Sequence, residues 1–216
     1  MSTTPIGIDL GTTYSAVAVV NEKGEVNLLP NAEGDYITPS VVCFEGDNII
    51  AGAVAKDARV NMPDATAEFV KRSMGTNRQF LFGGIEYSPT EISALILKKV
   101  KKDAEAALGT PITEAVITCP AYFGADRRDA TEKAAKIAGI NVLALVNEPT
   151  AAAMAFGMGG ERTGNVLVFD LGGGTFDVTV VNFGPDNKIE VLASDGDAEL
   201  GGKDFDDAII RLMLAE

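Results

Sequence analysis

The chain has 216 residues, a formal net charge of -13 and no histidine. The length suits one large domain or two small ones, and the acidic balance argues against a nucleic-acid surface, because phosphate backbones are bound by clustered Lys and Arg. Without His there is no His-based triad and no His-ligated metal, so any catalysis rests on carboxylates, Lys, hydroxyls, backbone amides and a bound cation.

The amino terminus and the cysteine content indicate a cytoplasmic protein. The first residues carry neither the basic nor the apolar region of a signal peptide, and no apolar run approaches the roughly 20 residues of a membrane span. Cys43 and Cys119 lie in apolar, strand-like segments and are too few for a disulfide framework. We therefore expect buried thiols in a reducing compartment.

The first part of the chain has the pattern of an antiparallel meander followed by shorter strands. Alternating and β-branched residues between turn residues predict strands at 6–10, 14–20, 25–29, 41–44 and 48–50. A weak helical pattern covers 51–59. The next stretch, 62–87, indicates turns and no clear element.

A long helix is predicted after Ser88. Ser88 and Glu91 have the capping-box spacing, Pro89 occupies the first helical position, and Gly109 marks the end. Strands and helices then alternate, with a strand at 113–119, a helix at 126–138, a strand at 142–146 and a helix at 149–156. This alternation is typical of a parallel α/β layer.

The opening meander recurs after a glycine-rich stretch at 157–164. Asp170-Leu171-Gly172 repeats Asp9-Leu10-Gly11, and the valines of the following strand align without a gap. A duplicated supersecondary unit predicts a duplicated α/β fold with a cleft between its halves. The predicted parts are a first lobe at 1–156, a join at 157–164 and the beginning of a second lobe at 165–216.

The end of the chain continues an amphipathic helix pattern from Phe205 to Glu216. No capping or stop signal appears there. We therefore expect Glu216 to be a boundary within a longer protein.

Two Asp-Leu-Gly hairpins predict a phosphate site. A strand that ends in Asp and enters a Gly/Thr turn points consecutive backbone N–H groups into a concave loop, which attracts anions, and Gly lets a phosphate approach the backbone closely. Asp9 and Asp170 beside phosphates require an intervening cation, and Mg²⁺ with its retained waters supplies it. Thr12, Thr13 and Thr175 add hydroxyls.

Three further motifs remain open on the residues alone. Glu148 either starts a helix, favoured by the helix dipole, or directs a carboxylate toward the cleft to position water or order a metal shell. Lys71 either carries surface charge or meets the γ-phosphate. Gly201-Gly202 either joins a loop to a helix or binds an anion at the helix start.

Taken together, these motifs resemble the ATPase domain of the seventy-kilodalton heat-shock chaperones, from Ile6 to about Ile210. The wider superfamily shares the hairpin pair, whereas Lys71 and the segment Pro120 to Phe123 point to the chaperones. The matching motifs are Ile8 to Ser15, Lys71-Arg72 with Gly75, Pro120 to Phe123, Asn147 to Ala153, Phe169 to Asp177, and Gly201-Gly202 with Asp204 to Asp206.

The resemblance implies a ribonuclease H-like, actin-like ATPase fold and hydrolysis of ATP to ADP and phosphate. The implied nucleotide-binding residues are Gly11, Thr12, Thr13, Tyr14, Gly172, Gly173, Gly174, Thr175, Gly201 and Gly202. The implied catalytic residues are Lys71, Glu148, Asp170 and Thr175. Asp9 and Asp170 would order Mg²⁺ mainly through water, with K⁺ nearby, and Asp177 would complete the second hairpin.

The resemblance also implies a switch that couples nucleotide state to the binding of unfolded peptides. Pro120 and Arg128 match positions that couple the ATPase domain to a carboxyl-terminal peptide-binding domain. A J-domain co-chaperone and a nucleotide-exchange factor are the implied partners, with no nucleic acid and no membrane.

This sequence departs from the family in three respects, and the first is Cys119, which lies where the family usually has an aliphatic residue. The stretch from Lys71 to Ser88 is short, which predicts a trimmed upper subdomain around 51–88, and the adenosine-binding segment and the peptide-binding domain are absent. Two alternatives within the superfamily remain: an actin-like filament or scaffold protein, and a sugar or metabolite kinase in which a carboxylate base activates a substrate hydroxyl.

Overall fold

A computed structural model describes residues 4–158, 160, 163–185 and 188–215. The strands are β1 (Ile6–Leu10), β2 (Tyr14–Val20), β3 (Val26–Leu28), β4 (Thr38–Pro39), β5 (Val42–Glu45), β6 (Asn48–Ala51), β7 (Thr66–Ala67), β8 (Phe80–Phe82), β9 (Ile85–Tyr87), β10 (Glu114–Cys119), β11 (Asn141–Asn147), β12 (Gly164–Leu171), β13 (Phe176–Phe183) and β14 (Ile189–Asp197). The helices are α1 (Ala53–Ala58), α2 (Pro89–Leu108), α3 (Ala125–Ile137), α4 (Glu148–Gly157) and α5 (Gly202–Leu214), with short 3-10 helices at Pro63–Ala65 and Val70–Ser73.

The chain divides into two compact units. The first contains residues 1–117 and 124–145, and the second contains 118–123 and 146–216. This division differs from the predicted boundary after residue 156, because α4 packs on β12 and β13 of the second unit. Residues 159, 161 and 162 of the predicted join, and residue 216 at the end of the last helix pattern, lie outside the described residues.

The main sheet of the first unit has the strand order β11-β10-β1-β2-β3, with β4 paired to β2. β1 runs parallel to β10 and antiparallel to β2, as the mixed α/β pattern predicts. Apolar residues alternate along β1, so that Ile6, Ile8 and Leu10 are buried. Burial of this face stabilises the sheet by about 25 cal/mol per Å² of apolar surface.

Helix α2 has the predicted amino-terminal cap. The Ser88 Oγ accepts from the Glu91 N–H at 3.2 Å, and the Ser88 N–H donates to Glu91 Oε2 at 2.8 Å. The hydrogen bonds from Ser88 lower the pKa of the Glu91 carboxyl. The helix ends at Gly109, whose left-handed conformation (φ 68°) suits Gly. Both ends therefore follow the sequence signals.

The stretch without clear sequence signals forms a small aromatic cluster. The β8–β9 hairpin turns at Gly83 and Gly84, and the Phe82 ring stacks on Phe44 of β5 with centroids 4.3 Å apart. Tyr87 lies 4.6 Å from the same Phe44 ring. Stacked aromatic pairs of this kind contribute about 0.5–1.5 kcal/mol beyond their buried area.

The second unit contains the repeated meander as the antiparallel sheet β12-β13-β14. One face of this sheet packs on α4 through Ala153, Val181 and Phe183. The other face exposes a row of β12 side chains, Leu167, Phe169 and Leu171. None of the residues of α5 is fully buried.

The segment 118–123 also belongs to the second unit. Its Tyr122 hydroxyl donates to the carboxylate of Asp195 on β14 at 2.9 Å. Cys43 and Cys119 are both buried, as expected. No helix among the described residues is long and apolar enough to cross a membrane.

Candidate functional site

The two predicted hairpins fold in the same register. In the first, Asp9 pairs with Ala16 and Leu10 with Ser15. In the second, the equivalent Asp170 pairs with Asp177 and Leu171 with Phe176. Each hairpin therefore encloses a four-residue turn after the Leu, which gives the sequence repeat a matching structural repeat.

The turn of the first hairpin, Gly11 to Tyr14, leaves no room for a side chain at its first residue. A Cβ on Gly11 would lie 2.0 Å from the Tyr14 carbonyl oxygen. The third residue of the turn is held by a backbone hydrogen bond, because the Ser40 N–H donates to the Thr13 carbonyl at 2.9 Å. A buried hydrogen bond of 2.9 Å joins the Ser15 and Ser40 hydroxyls. The turn is thus held in shape by backbone and hydroxyl contacts.

Two hydroxyls of this turn have no partner among the residues that the structure describes. The Oγ1 atoms of Thr12 and Thr13 are buried and make no hydrogen bond to the described residues. A buried polar atom without a hydrogen-bond partner lowers the stability of the fold by roughly 1–3 kcal/mol. Such atoms are therefore rare in native structures and often have a function. A ligand that brings its own oxygens, such as a phosphate, gives both hydroxyls a partner.

The turn of the second hairpin, Gly172 to Thr175, is closed by its own backbone and by the start of α5. The Gly172 N–H donates to the Thr175 carbonyl at 3.0 Å. The N–H groups of Gly202 and Lys203 donate to the carbonyls of Gly172 and Gly173 at 3.0 and 3.1 Å. A Cβ on Gly201 would lie 2.4 Å from the Gly174 nitrogen.

These contacts assign a structural task to Gly201 and Gly202. Two of the first N–H groups of α5 donate hydrogen bonds to carbonyls of the turn, and the Gly201 N–H donates to Asp204 Oδ2 at 2.8 Å. The pair therefore fixes the second turn against the helix start. Its direct contact with nucleotide remains a prediction.

Each hairpin carries carboxylates at the end of its first strand, Asp9 in the first unit and Asp170 in the second. Asp9 is exposed, Asp170 is half-buried and its cross-strand partner Asp177 is 1% exposed. Directly paired residues of adjacent strands have Cβ atoms about 4.5–5.5 Å apart, and like charges there are destabilising. The described residues contain no cluster of three or more acidic or Cys side chains that would hold a metal.

Lys71 lies in the first unit, in the 3-10 helix Val70–Ser73, and is 6% exposed. Phe69 before it has a left-handed backbone (φ 56°), which is uncommon for a bulky residue. Just after it, a Cβ on Gly75 would lie 2.8 Å from the Arg127 nitrogen, so the segment packs closely on α3. Lys is rarely this buried, which sets Lys71 apart from a surface charge.

Glu148 lies in the second unit, as the first residue of α4, and is half-buried. Pro149 follows it in the first turn. An acidic side chain is favoured at this end of a helix by the dipole. Its position agrees with the helix-start interpretation, and its role toward a cleft stays a prediction.

The residues of the predicted coupling segment lie beside a contact that the sequence did not reveal. The Phe123 N–H donates to the Pro120 carbonyl at 3.1 Å, and Arg128 lies in the first turns of α3. The bond between Tyr122 and Asp195 raises the pKa of the Tyr122 hydroxyl. The Gly196 N–H, and then Tyr122, lower the pKa of the Asp195 carboxyl. No local pattern signals this contact, because its partners are distant in sequence.

Two cavities in the first unit lie away from the predicted site residues. One, of about 690 Å³, is an open groove between the end of α3 and the start of β11, lined by charged side chains that include Asp129, Lys133 and Lys136. The other is a narrow space lined by Tyr36, Thr38 and residues of α2. Neither includes a residue of the two hairpins' turns.

Comparison with known proteins decides the family. The model of the Hsp70 protein family matches residues 5–81 and 78–216. The chain belongs to the Hsp70 family. The predicted α/β, actin-like fold class is thereby confirmed. The two matched stretches overlap at residues 78–81, inside the region predicted to be trimmed.

Several relatives carry the name chaperone protein DnaK. That of Thermotoga neapolitana is 51% identical over 215 residues, which cover 98% of this chain and 36% of the relative. Those of Thermotoga petrophila and Thermotoga sp. strain RQ2 are each 50% identical over the same shares. The chain thus spans about a third of the length of these relatives. None of the three is a filament protein or a metabolite kinase, so neither alternative gains support.

Proposed function

We propose that the chain forms part of an ATP-binding and ATP-hydrolysing domain of a molecular chaperone that couples nucleotide state to the binding of unfolded peptides. The observation that carries the proposal is the pair of hairpins in one register, in a chain of the Hsp70 family. The buried turn hydroxyls of Thr12 and Thr13 support it, because no described residue of the chain gives them a hydrogen bond.

The two turns supply the phosphate contacts. Gly11 to Tyr14 in the first hairpin and Gly172 to Thr175 in the second offer backbone N–H groups and hydroxyls, and Gly201 with Gly202 supports the second turn. Asp9 and Asp170 would hold Mg²⁺ mainly through water, with K⁺ nearby, and these cations would supply positive charge that offsets the charge of the phosphates. Asp177 completes the acidic end of the second hairpin.

In hydrolysis, a water oxygen bonds to the γ-phosphorus while the bond from that phosphorus to the bridging oxygen of ADP breaks; ADP leaves with this oxygen, and the proton of the water passes to the phosphate product. Lys71 stabilises the negative charge of the transferred group. Glu148, Asp170 and Thr175 orient the attacking water. Phosphoryl transfer depends mostly on positioning and charge stabilisation, so it suits a chain without His.

The chaperone function extends beyond these residues. Pro120 and Arg128 transmit the nucleotide state to a peptide-binding domain, a J-domain co-chaperone stimulates hydrolysis, and an exchange factor releases ADP. The protein acts in the cytoplasm. We expect the 216-residue chain alone to bind ATP more weakly than micromolar, because it spans only 36% of its relatives.

The test is ATP hydrolysis by the full-length protein that contains this chain. Lys71→Ala should lower kcat by at least about 100-fold, the scale of removing a charge-stabilising donor, and leave the melting temperature near that of the parent. Lys98→Ala, which removes an exposed lysine of α2, is the matched control and should retain full activity. Hydrolysis by Lys71→Ala at the parental rate would refute the assigned mechanism.

A further inference from the structure

The Gly11 to Tyr14 turn is supported by a segment from outside its own hairpin, residues 31–40, which we call the support loop. β4, which lies within this loop, pairs with β2 directly after the turn. The Ser40 N–H donates to the Thr13 carbonyl at 2.9 Å, and a hydrogen bond of 2.9 Å joins the hydroxyls of Ser15 and Ser40. The position of the Thr13 backbone therefore depends on the support loop.

The support loop keeps its shape through the side chain of Asn31. The Asn31 Oδ1 accepts from the N–H groups of Glu33 and Asp35 at 3.1 and 2.8 Å. The Asn31 Nδ2 donates to the Ile37 carbonyl at 3.1 Å and to the Thr38 hydroxyl at 3.3 Å. One amide thus joins the start of the loop, near Glu33, to the strand that pairs with β2.

Lys99 of α2 ties the support loop to that helix. Its ammonium donates to both carboxylate oxygens of Glu33, at 3.2 and 3.1 Å, and to Asp103 Oδ2 at 2.8 Å. The side chains of Lys99, Asp103 and Glu33 are 17%, 7% and 30% exposed. A Cβ on Gly52 would lie 3.1 Å from Lys99 Cε and 3.3 Å from Thr38 Cγ2, so both side chains pack over Gly52. The loop is therefore anchored by a partly buried cation.

The anchor holds the loop, because the lysine itself has a second partner on its own helix. Burial lowers the pKa of the Lys99 ammonium, but its hydrogen bonds to Asp103 and Glu33 raise the pKa by more, so that it lies above its ordinary value. Lys99 is thus charged at neutral pH. Asp103, four residues further along α2, pairs with it as helix neighbours do. The pair with Glu33 therefore fixes the support loop.

We propose that Lys99 and Glu33 are positioning residues for phosphate binding by the first hairpin; this inference rests on the proposed function. Their ion pair fixes the support loop, and the loop fixes the backbone of Thr13 through the Ser40 N–H. The Oγ1 atoms of Thr12 and Thr13, which make no hydrogen bond to the described residues, are thereby held in place for phosphate oxygens. Hydrogen bonds weaken steeply with poor geometry, and a site that is ordered beforehand binds its ligand at a lower entropic cost.

The proposal predicts a loss of phosphate affinity in protein that remains folded. Glu33→Ala removes the anchor and leaves the ion pair within α2 intact. Glu33→Asp keeps a carboxylate that the long side chain of Lys99 can reach, so it should restore most of the affinity. Glu105→Ala is the matched control: the Glu105 side chain is 29% exposed, pairs with Lys101 of α2 and accepts from the Ile112 N–H, so it ties a different loop to the same helix.

The test is an NMR titration of the ¹⁵N-labelled 216-residue chain with tripolyphosphate and with ATP, in which the amide signals of Gly11 to Tyr14 report binding. Glu33→Ala should raise the Kd for both ligands by about three- to fivefold, the upper range for one partly exposed ion pair. Thr38→Val, which removes the hydroxyl that Asn31 holds, should raise it by at least about twofold. Glu33→Asp and Glu105→Ala should change it by less than about twofold.

The outcomes separate this inference from the proposed function. Equal tripolyphosphate affinities of the parent and a folded Glu33→Ala variant overturn the inference and leave the proposed function in place; if Glu33→Ala does not fold, Thr38→Val decides in its place. A Glu33→Asp or Glu105→Ala variant that binds as weakly as Glu33→Ala also overturns the inference alone. If the parent itself gives no response to ATP or tripolyphosphate up to the highest concentration, both are overturned. Circular dichroism and melting curves of each variant establish which variants are folded.

Discussion

The sheets β1-β2-β3 and β12-β13-β14 share a hairpin register and differ in how their equivalent faces are covered. In β1, Ile8 and Leu10 are 1% and 3% exposed, whereas their counterparts in β12, Phe169 and Leu171, are 65% and 45% exposed. The hairpin geometry is nevertheless the same in both. The repeat therefore encodes the turn and its Asp locally, and burial of the neighbouring face is a separate property.

The different burial of the equivalent β1 and β12 side chains should have its largest effect on the free energy of unfolding. Ile8→Ala should lower the free energy of unfolding by about 3 kcal/mol, because it removes a large buried side chain from a packed face. The matched Phe169→Ala should cost less than about 1 kcal/mol, because most of that ring is in water. Urea unfolding of both variants measures this. Similar losses would show that the β12 face is covered in solution.

The glycines that open the two turns should also differ. Gly11→Ala places a methyl group 2.0 Å from the Tyr14 carbonyl oxygen, while Gly172→Ala meets the Thr175 carbonyl at 3.4 Å, an ordinary contact. We expect Gly11→Ala to destabilise the chain by about 2–3 kcal/mol through overpacking and Gly172→Ala by less than about 1 kcal/mol. Thermal melts of the two variants are the measurement. A Gly172→Ala variant that is the less stable of the two would contradict the close packing assigned to the first turn.

Loss of the amino-terminal cap of α2 in the first unit should lower stability by less than the two preceding substitutions in that unit. Ser88→Ala should cost about 1 kcal/mol, as for other amino-terminal caps, and should raise the pKa of Glu91 toward its ordinary value. Because the folded pKa of Glu91 is lowered, its contribution to stability is present above the unfolded pKa and disappears as the pH falls through the folded value. Unfolding of the parent and Ser88→Ala at neutral and acidic pH measures this. A difference in unfolding free energy between the parent and Ser88→Ala that stays constant with pH would contradict the hydrogen bonds assigned to the cap.

The smallest expected effect concerns the Tyr122–Asp195 contact of the second unit. Tyr122→Phe should raise the pKa of Asp195 only part of the way to its ordinary value, because the Gly196 N–H is the larger cause of its depression. Stability from the depressed pKa of Asp195 is present above its unfolded pKa and is lost as the pH falls through the folded value. An NMR pH titration of the Asp195 carboxyl gives both values. No change in Tyr122→Phe would show that the hydroxyl does not reach the carboxylate.

The sequence predicted those features that depend on nearby residues. The hairpins follow from alternation and glycine turns, and the α2 cap from Ser88 and Glu91, because their partners lie within a few positions. The aromatic cluster around Phe44 and the ion pair of Lys99 with Glu33 depend on partners tens of residues away, so no periodicity reveals them. The same reason explains why the boundary of the units differs from the glycine-rich join: α4 is defined by what it packs against.

The most direct test of the account is a backbone amide NMR titration of the 216-residue chain with Mg-ATP. The account predicts that the amide signals of both turns, Gly11 to Tyr14 and Gly172 to Thr175, shift with one common Kd. Shifts confined to one turn, or centred on the charged groove between α3 and β11, would contradict the claim that the repeated hairpins together bind the phosphates.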